Sequence, residues 1–278
     1  MPSSSYYDYK RQLREAAQGR LKQKRGPKVQ LDDASLLKEI KLVIKHTPFV
    51  TEGVKKVYFR LRKKSIKADR GRINRLMRDN DLLSPQRYEG EKKDEHNGTI
   101  IPDGINQMWG TDATMFGLLD GSLLWLFAVI DHFSDEILGW HIAKVGQGNS
   151  FAALEPIKQG LRKTRGATGK DVGKGIAIRH DWGPQYVATD FKDELKFFGL
   201  KNSPALIRQP QTNGVIERFF RTLKEECIWL EDFSDINQAS EVIGDWMELY
   251  NTQWIIARNN YQTPREVREA SEKMQEVA

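Results

Sequence analysis

The stretch "MWGTDATMFGLLDGSLLWLFAVIDHFSDEILGWHIAKV", residues 108–145, decides how the rest of the chain is read. It holds three apolar-rich runs, "MWGTDATMFG", "SLLWLFAVIDHF" and "EILGWHIAKV", joined by short turns such as "LLDG" and "SD". Turn residues between runs of this length predict three consecutive strands. The longest apolar run, "LLWLFAVI" (123–130), has eight residues. That length suits a buried strand and is far too short to span a bilayer. Downstream, the amphipathic "SFAALEPIKQGLRKT" predicts a helix, "GIAIRH" a buried strand, and "TDFKDELKFFG" a second helix. A short strand near "SPALI" and a helix opening at "NGVIERFFRTLKEECIWL" complete the order β-β-β-α-β-α-β-α. Such an alternation specifies an α/β fold, a mixed five-stranded sheet with helices on both faces.

Charge divides the chain unevenly. Residues 1–80 hold 22 Lys+Arg against 8 Asp+Glu, a balance of +14, and the remaining 22 and 30 leave −8 for residues 81–278. A basic arm on a mildly acidic body points to a polyanion-binding module joined to something with another task. One cysteine, Cys227, excludes a disulfide framework and any multi-cysteine zinc site. The start carries no apolar segment that would read as a secretory signal, so the expected setting is cytoplasmic, with no membrane partner.

Within the basic third, residues 1–30 read as a partly disordered lead-in. Residues 31–85 carry three short helical patterns. "DASLLKEIKLVIKH" places Leu36, Ile40 and Val43 on one face, with Asp33 as the expected cap. "TEGVKKVYFRLRKK" places Val54, Val57, Tyr58 and Leu61 at helical spacing, with Thr51 as the expected cap. "ADRGRINRLMRDND" turns Ile73, Leu76 and Met77 inward and leaves Arg70, Arg72, Arg75 and Arg78 outward. Two short helices, the second lined by arginines, suit a helix-turn-helix that sets cations against phosphates and base edges. A small basic three-helix bundle with solvated arginines fits the same pattern. Residues 86–105 read as a linker, 106–230 as the α/β core and 231–278 as a C-terminal helical extension.

Three carboxylates stand out on this scaffold. Asp112 lies within the first strand, Asp181 follows the fourth strand in "RHDWGPQY" (179–186), and Glu217 opens the helix "GVIERFF", 35 residues lying between the last two. Asp181 next to Gly-Pro has two readings, a turn residue bonding its own backbone or a metal ligand. A strand acid, a strand-end acid and a helix acid can converge on one point. Three carboxylates without His or Cys suit hard cations, Mg²⁺ or Mn²⁺ rather than zinc. Two such ions roughly 4 Å apart can activate an attacking oxygen and stabilise a leaving oxygen on phosphorus. Arg221 and Lys224 fall four and seven residues after Glu217 on one helical face, where a phosphate backbone could run. His180 reads as a packing residue more readily than as a proton shuttle, and Asp131 as a strand-end acid more readily than as support for the site.

The segments "WGTDATMF…LFAVIDHFSDEILGWHIA", "HDWGPQY" and "QPQTNGVIERFFRTLKEE" resemble the catalytic core of DDE transposases and retroviral-type integrases, which have an RNase H-like fold. Within that group the chain is similar to the second-reading-frame protein of insertion-sequence family three. "VKKVYFRLRKK…DRGRINRLMRDNDLLSP" matches its helix-turn-helix lead-in and "YNTQWIIARNNYQTPREV" (250–267) its C-terminal signature. The resemblance implies that Asp112, Asp181 and Glu217 are the metal-binding catalytic triad. It further implies transposition, with hydrolysis and strand transfer on double-stranded DNA, both terminal inverted repeats and target. A homo-oligomer on DNA, an upstream-frame fusion partner and a nucleoid-associated location would follow. The chain departs from the pattern at "QTNGVIER", where Asp-Asn-Ala usually precedes the glutamate. It departs again at Trp254, Ile255 and Ile256, where Arg-Pro-His is usual. A transposase-derived DNA-binding protein without catalysis is the alternative. An RNA–DNA hybrid nuclease on the same fold would have no need of the basic domain.

Overall fold

Alternation along the strand of residues 123–131 explains why the sheet is covered on both sides. The computed structural model describes residues 30–85, 102–205 and 213–277, with Tyr7, Tyr9, Lys10 and Arg14. The lead-in expected over 1–30 and most of the linker expected over 86–105 fall outside these. Three helices come first: α1 (Asp33–His46), α2 (Val54–Lys63) and α3 (Arg70–Arg78). Then follow β1 (Met108–Gly117), β2 (Leu123–Asp131), β3 (Ile137–Lys144), α4 (Ser150–Arg165) and β4 (Ala177–His180). The chain continues through α5 (Pro184–Val187), α6 (Thr189–Phe197), β5 (Lys201–Pro204), α7 (Gly214–Glu226), α8 (Ile236–Gln253) and α9 (Pro264–Val277).

The five strands lie in the order β3-β2-β1-β4-β5. The first three pair antiparallel, whereas β4 pairs parallel with both β1 and β5. Along β2, Leu124, Leu126, Ala128 and Ile130 enter one buried cluster, which also holds residues of α7 and α8. Phe127 and Val129, of opposite parity, enter a second cluster with residues of α4 and α6. Period-two alternation thus feeds two cores, so every position of β2 past its first is shielded at least in part. The mixed sheet with helices on both faces is the expected one. The tail from 231 onward shares the first core, because Ile243, Trp246, Met247 and Tyr250 of α8 pack with Phe219 and Phe220 of α7. Gly139 on β3 is required by close packing. A Cβ there would collide with the backbone carbonyl of Pro156 in α4.

The N-terminal helices form a third cluster around Leu36, Ile40, Val57, Leu61, Ile73 and Met77. Two expected caps are corrected. Asp32, one residue earlier than expected, caps α1 by accepting from the Ser35 N–H at 2.7 Å. Asp33 instead pairs with Arg72 at 2.6 Å and Arg75 at 2.7 Å. Helix α2 starts at Val54 behind Gly53, with no side-chain cap. The Thr51 hydroxyl, expected to cap it, donates to Glu226.

That bond belongs to a docking surface between the helical domain and the core. The Val50 and Thr51 N–H groups donate to Glu226, at the C-terminal end of α7, at 2.7 and 3.1 Å. Phe49 enters the first core cluster, edge-on to Trp254 with ring centroids 4.7 Å apart. The Lys56 ammonium sits over the other ring system of this contact, 2.8 Å from the Trp254 centroid, a cation–π arrangement. Phe59 stacks on Tyr261 at 3.7 Å, Arg60 donates to the Gln253 carbonyl at 3.1 Å, and Lys63 pairs with Glu266 at 2.8 Å. Trp254 and Ile255, two of the three residues that depart from the C-terminal signature, are buried.

Candidate active site

The parallel pairing of β1 with β4 explains why the two aspartates become neighbours. The last paired residues are Gly110 and Arg179. Asp112 and Asp181 each lie two residues further on, so the register brings them level on chains that run about 4.8 Å apart in a regular sheet. Asp112 also shares parity with Phe116, which packs in the cluster that contains Val215, Ile216 and Phe219 of α7. Glu217 stands in the first turn of that helix, exposed to solvent.

The electrostatics of Asp112 report this convergence. Burial pushes its carboxyl up to about 7, and the charges of Asp181 and Glu217 push in the same direction. The Ala113 N–H bond and the Lys224 charge oppose the rise. Asp112 is therefore a carboxyl kept short of compensating charge, a state that buried acids adopt near functional centres. The acids are electrostatic neighbours without being gathered. Among the described residues, no three His, Cys, Asp or Glu side chains lie close enough together to hold a metal ion. Like charges repel, and the two aspartates each spend an oxygen on a local amide. Asp112 accepts from the Ala113 N–H at 2.8 Å and Asp181 from the Gly183 N–H at 2.9 Å. Both readings of Asp181 are thus compatible, since the turn bond and the placement beside Asp112 coexist.

Asp112 has a consequence for stability. Its carboxyl holds a proton more tightly folded than unfolded, so folding is favoured at acid pH and loses that contribution as pH rises from about 4 to about 7. Asp112→Asn should abolish this loss. In buffer free of divalent ions, the variant is expected to be more stable than the parent by roughly 1–3 kcal/mol above pH 7. Equal denaturation midpoints for the two proteins across that range would refute the burial argument.

The neighbouring residues sort themselves by contact. His180 is buried, with Nε2 2.6 Å from the Asn202 side-chain oxygen and Nδ1 2.5 Å from the Asp181 carbonyl. Its ring stacks on Tyr186 at 5.4 Å. It is a packing histidine. Asp131 is wholly buried, and it accepts from the N–H groups of Asn106, Phe133 and Ser134 at 2.7, 3.0 and 2.8 Å. It lies 3.6 Å from Arg268, part of a buried cluster that includes Glu136. Arg221 pairs with Glu225 at 2.9 Å on the exposed side of α7. Of the four arginines on α3, Arg70 and Arg78 are exposed, whereas Arg72 and Arg75 are held by Asp33. Tyr186 escaped the sequence reading. Its buried hydroxyl lies near Asp112, and burial with that charge raises its pKa well above the usual value.

The mixed five-stranded sheet with helices on both faces agrees with the comparisons. The integrase core domain family matches residues 199–255, the span that contains β5, α7 and α8. In Escherichia coli, the transposase InsD of insertion element IS2 is 26% identical over 244 residues, covering 84% of this chain and 78% of InsD. The InsK protein of insertion sequence element IS150 from strain K12 is 29% identical over 163 residues, 59% of this chain. The chain spans about half of InsK, 54% of its length. A simian T-cell lymphotropic virus intasome, solved by cryoEM in complex with PP2A regulatory subunit B56 gamma, superposes with a TM-score of 0.50. That alignment covers 83% of this chain and 74% of the viral one at 16% identity, and it shows a shared fold. The chain is similar to insertion-element transposases and, over residues 199–255, to the integrase core domain family. No helix among the described residues is long and apolar enough to cross a membrane.

Proposed function

We propose that this chain is the DNA transposase of an insertion sequence and that Asp112, Asp181 and Glu217 carry its chemistry. The observation that supports this most directly is the half-buried Asp112 of β1, its carboxyl raised to about 7 with two further acids acting on it, one directly after β4 and one on α7. An all-carboxylate donor set fits Mg²⁺ or Mn²⁺, two ions in the reading offered here, with all three acids as ligands. When bound, the ions supply charge stabilisation at a reacting phosphodiester and favour ionisation of the attacking oxygen.

The chain's own groups do the rest. Asp112 and Asp181 form one side of the site, each two residues past the last paired residues of β1 and β4. Glu217 closes it from α7, and Lys224 on the same helix places a cation close enough to act on Asp112. Water attacks the first phosphodiester, which frees a 3′-hydroxyl. That hydroxyl then attacks a target phosphodiester, and the leaving 3′-oxygen departs with a proton from solvent. Exposed Arg70 and Arg78 are the first contacts with the terminal repeats, and Arg72 and Arg75 follow as the phosphates compete with Asp33. Arg221 and Lys224 track the backbone near the site. The working unit is a homo-oligomer that synapses two ends, with the upstream-frame product as a further partner.

The test is a Mg²⁺-dependent assay on end-labelled duplexes copied from the DNA flanking the reading frame. Nicking at the element end and joining to a second duplex are expected. The separation of the three acids favours a second reading, a DNA-binding relative without catalysis. Binding of the same duplexes without nicking in either Mg²⁺ or Mn²⁺ would establish that one instead.

A further inference from the structure

Directly after Asp181 the chain places Trp182, with more than half of its surface open to solvent. Its neighbours make this exposure unusual. The indole N–H donates to the Ala205 carbonyl at 2.8 Å. Ala205 is itself tied back to the end of β4, its N–H donating to the His180 carbonyl at 2.7 Å. The polar edge of the ring is therefore satisfied by the backbone that ends β5. What meets water is the apolar, π-electron surface of an indole whose orientation is already set.

A large aromatic surface held in water forgoes the stabilisation that burial would give. Trp182 makes no contribution to either core cluster of the sheet. Its backbone is one residue from a proposed metal ligand, at the same end of β4. Nucleobases stack on such rings irrespective of sequence, because every base presents a π-face. A ring already fixed by a hydrogen bond loses little freedom on stacking.

We propose that Trp182 is a positioning residue that stacks on an unpaired nucleobase flanking the scissile phosphate and so holds the DNA strand in line with the three acids. The inference rests on the transposase reading above and adds the group that grips the nucleotide.

The test is a cycle between protein and DNA on the full-length chain with Mg²⁺. Wild type, Trp182→Ala and Trp182→Phe are each assayed on the flanking-DNA duplex, intact or with an abasic site at single nucleotides either side of the cleaved phosphate. Trp182→Ala is expected to slow cleavage of intact DNA by about 5- to 150-fold, the range of one base–aromatic stack. Trp182→Phe should recover most of that rate. At one position the abasic site should slow wild type to a similar degree and leave Trp182→Ala unaffected. In Ca²⁺, 2-aminopurine at that position should be quenched by wild type and not by Trp182→Ala. If the two losses multiply at every position, or Trp182→Ala cleaves as fast as wild type, the stacking assignment is overturned while the transposase reading stands. If wild type fails to cleave, the transposase reading falls, and the 2-aminopurine signal alone then supports stacking when quenched or refutes it when unchanged.

Discussion

Glu217→Gln is expected to lower Mg²⁺-dependent cleavage and joining by at least ~10²–10³-fold, the scale of removing one charge-stabilising group from a phosphoryl-transfer site. Binding of the same DNA should change by less than about threefold, since the proposed function assigns most phosphate contacts to the basic N-terminal domain. The substitution is mild in structural terms. Glu217 is exposed in the first turn of α7, and the helix is held by Val215, Ile216, Phe219, Phe220 and Leu223 from its opposite side. Its thermal midpoint should therefore stay close to that of the parent. A variant that binds end DNA and still joins it at the parental rate would remove Glu217 from the mechanism.

The second large effect concerns stability. Arg268 of α9 is buried and donates to the buried Glu136, lies 3.6 Å from the fully buried Asp131, and donates to the Asn106 side-chain oxygen at 3.3 Å. Glu136 is also held by Lys163 at 2.8 Å. Removing the guanidinium strips a charge from between two desolvated carboxylates. Arg268→Ala is expected to destabilise the fold by about 3–5 kcal/mol, the usual cost of breaking one side of a buried pair. Arg268→Lys should recover only part, because a point charge cannot serve both acids through a planar fork. Urea denaturation followed by tryptophan fluorescence measures both, and a loss for Arg268→Ala below about 1 kcal/mol would show the cluster to be weakly coupled.

Local pattern carried the sheet. The strands of residues 108–145 declare themselves through apolar runs and turn residues, and β4 through a short buried run; β5 (Lys201–Pro204), exposed or half-buried along its length, begins two residues before the "SPALI" expected as the strand. The places of the three proposed acids were legible for the same reason, since Asp112 lies within β1, Asp181 directly after β4 and Glu217 in the first turn of α7. What stayed hidden depends on distant partners. Glu136 and Arg268 are 132 residues apart, and nothing in either neighbourhood announces the pair. Asp33 and Thr51 were expected as caps because their types suit that role. Contacts with Arg72, Arg75 and Glu226 claimed them instead, an instance of tertiary pairing overriding local preference. Trp254 reads in sequence only as a lost cation, yet in space it is where Phe49 and Lys56 come to rest. Cys227 is buried with its thiol pushed up to about 12, which leaves it chemically quiet.

The grip of Glu226 on residues 50 and 51 ties the arginine-bearing module to the far end of the very helix that presents Glu217. Under the proposed function that tie acts as a ruler: it fixes the stretch of duplex between the arginine-bearing module and the three acids through α7.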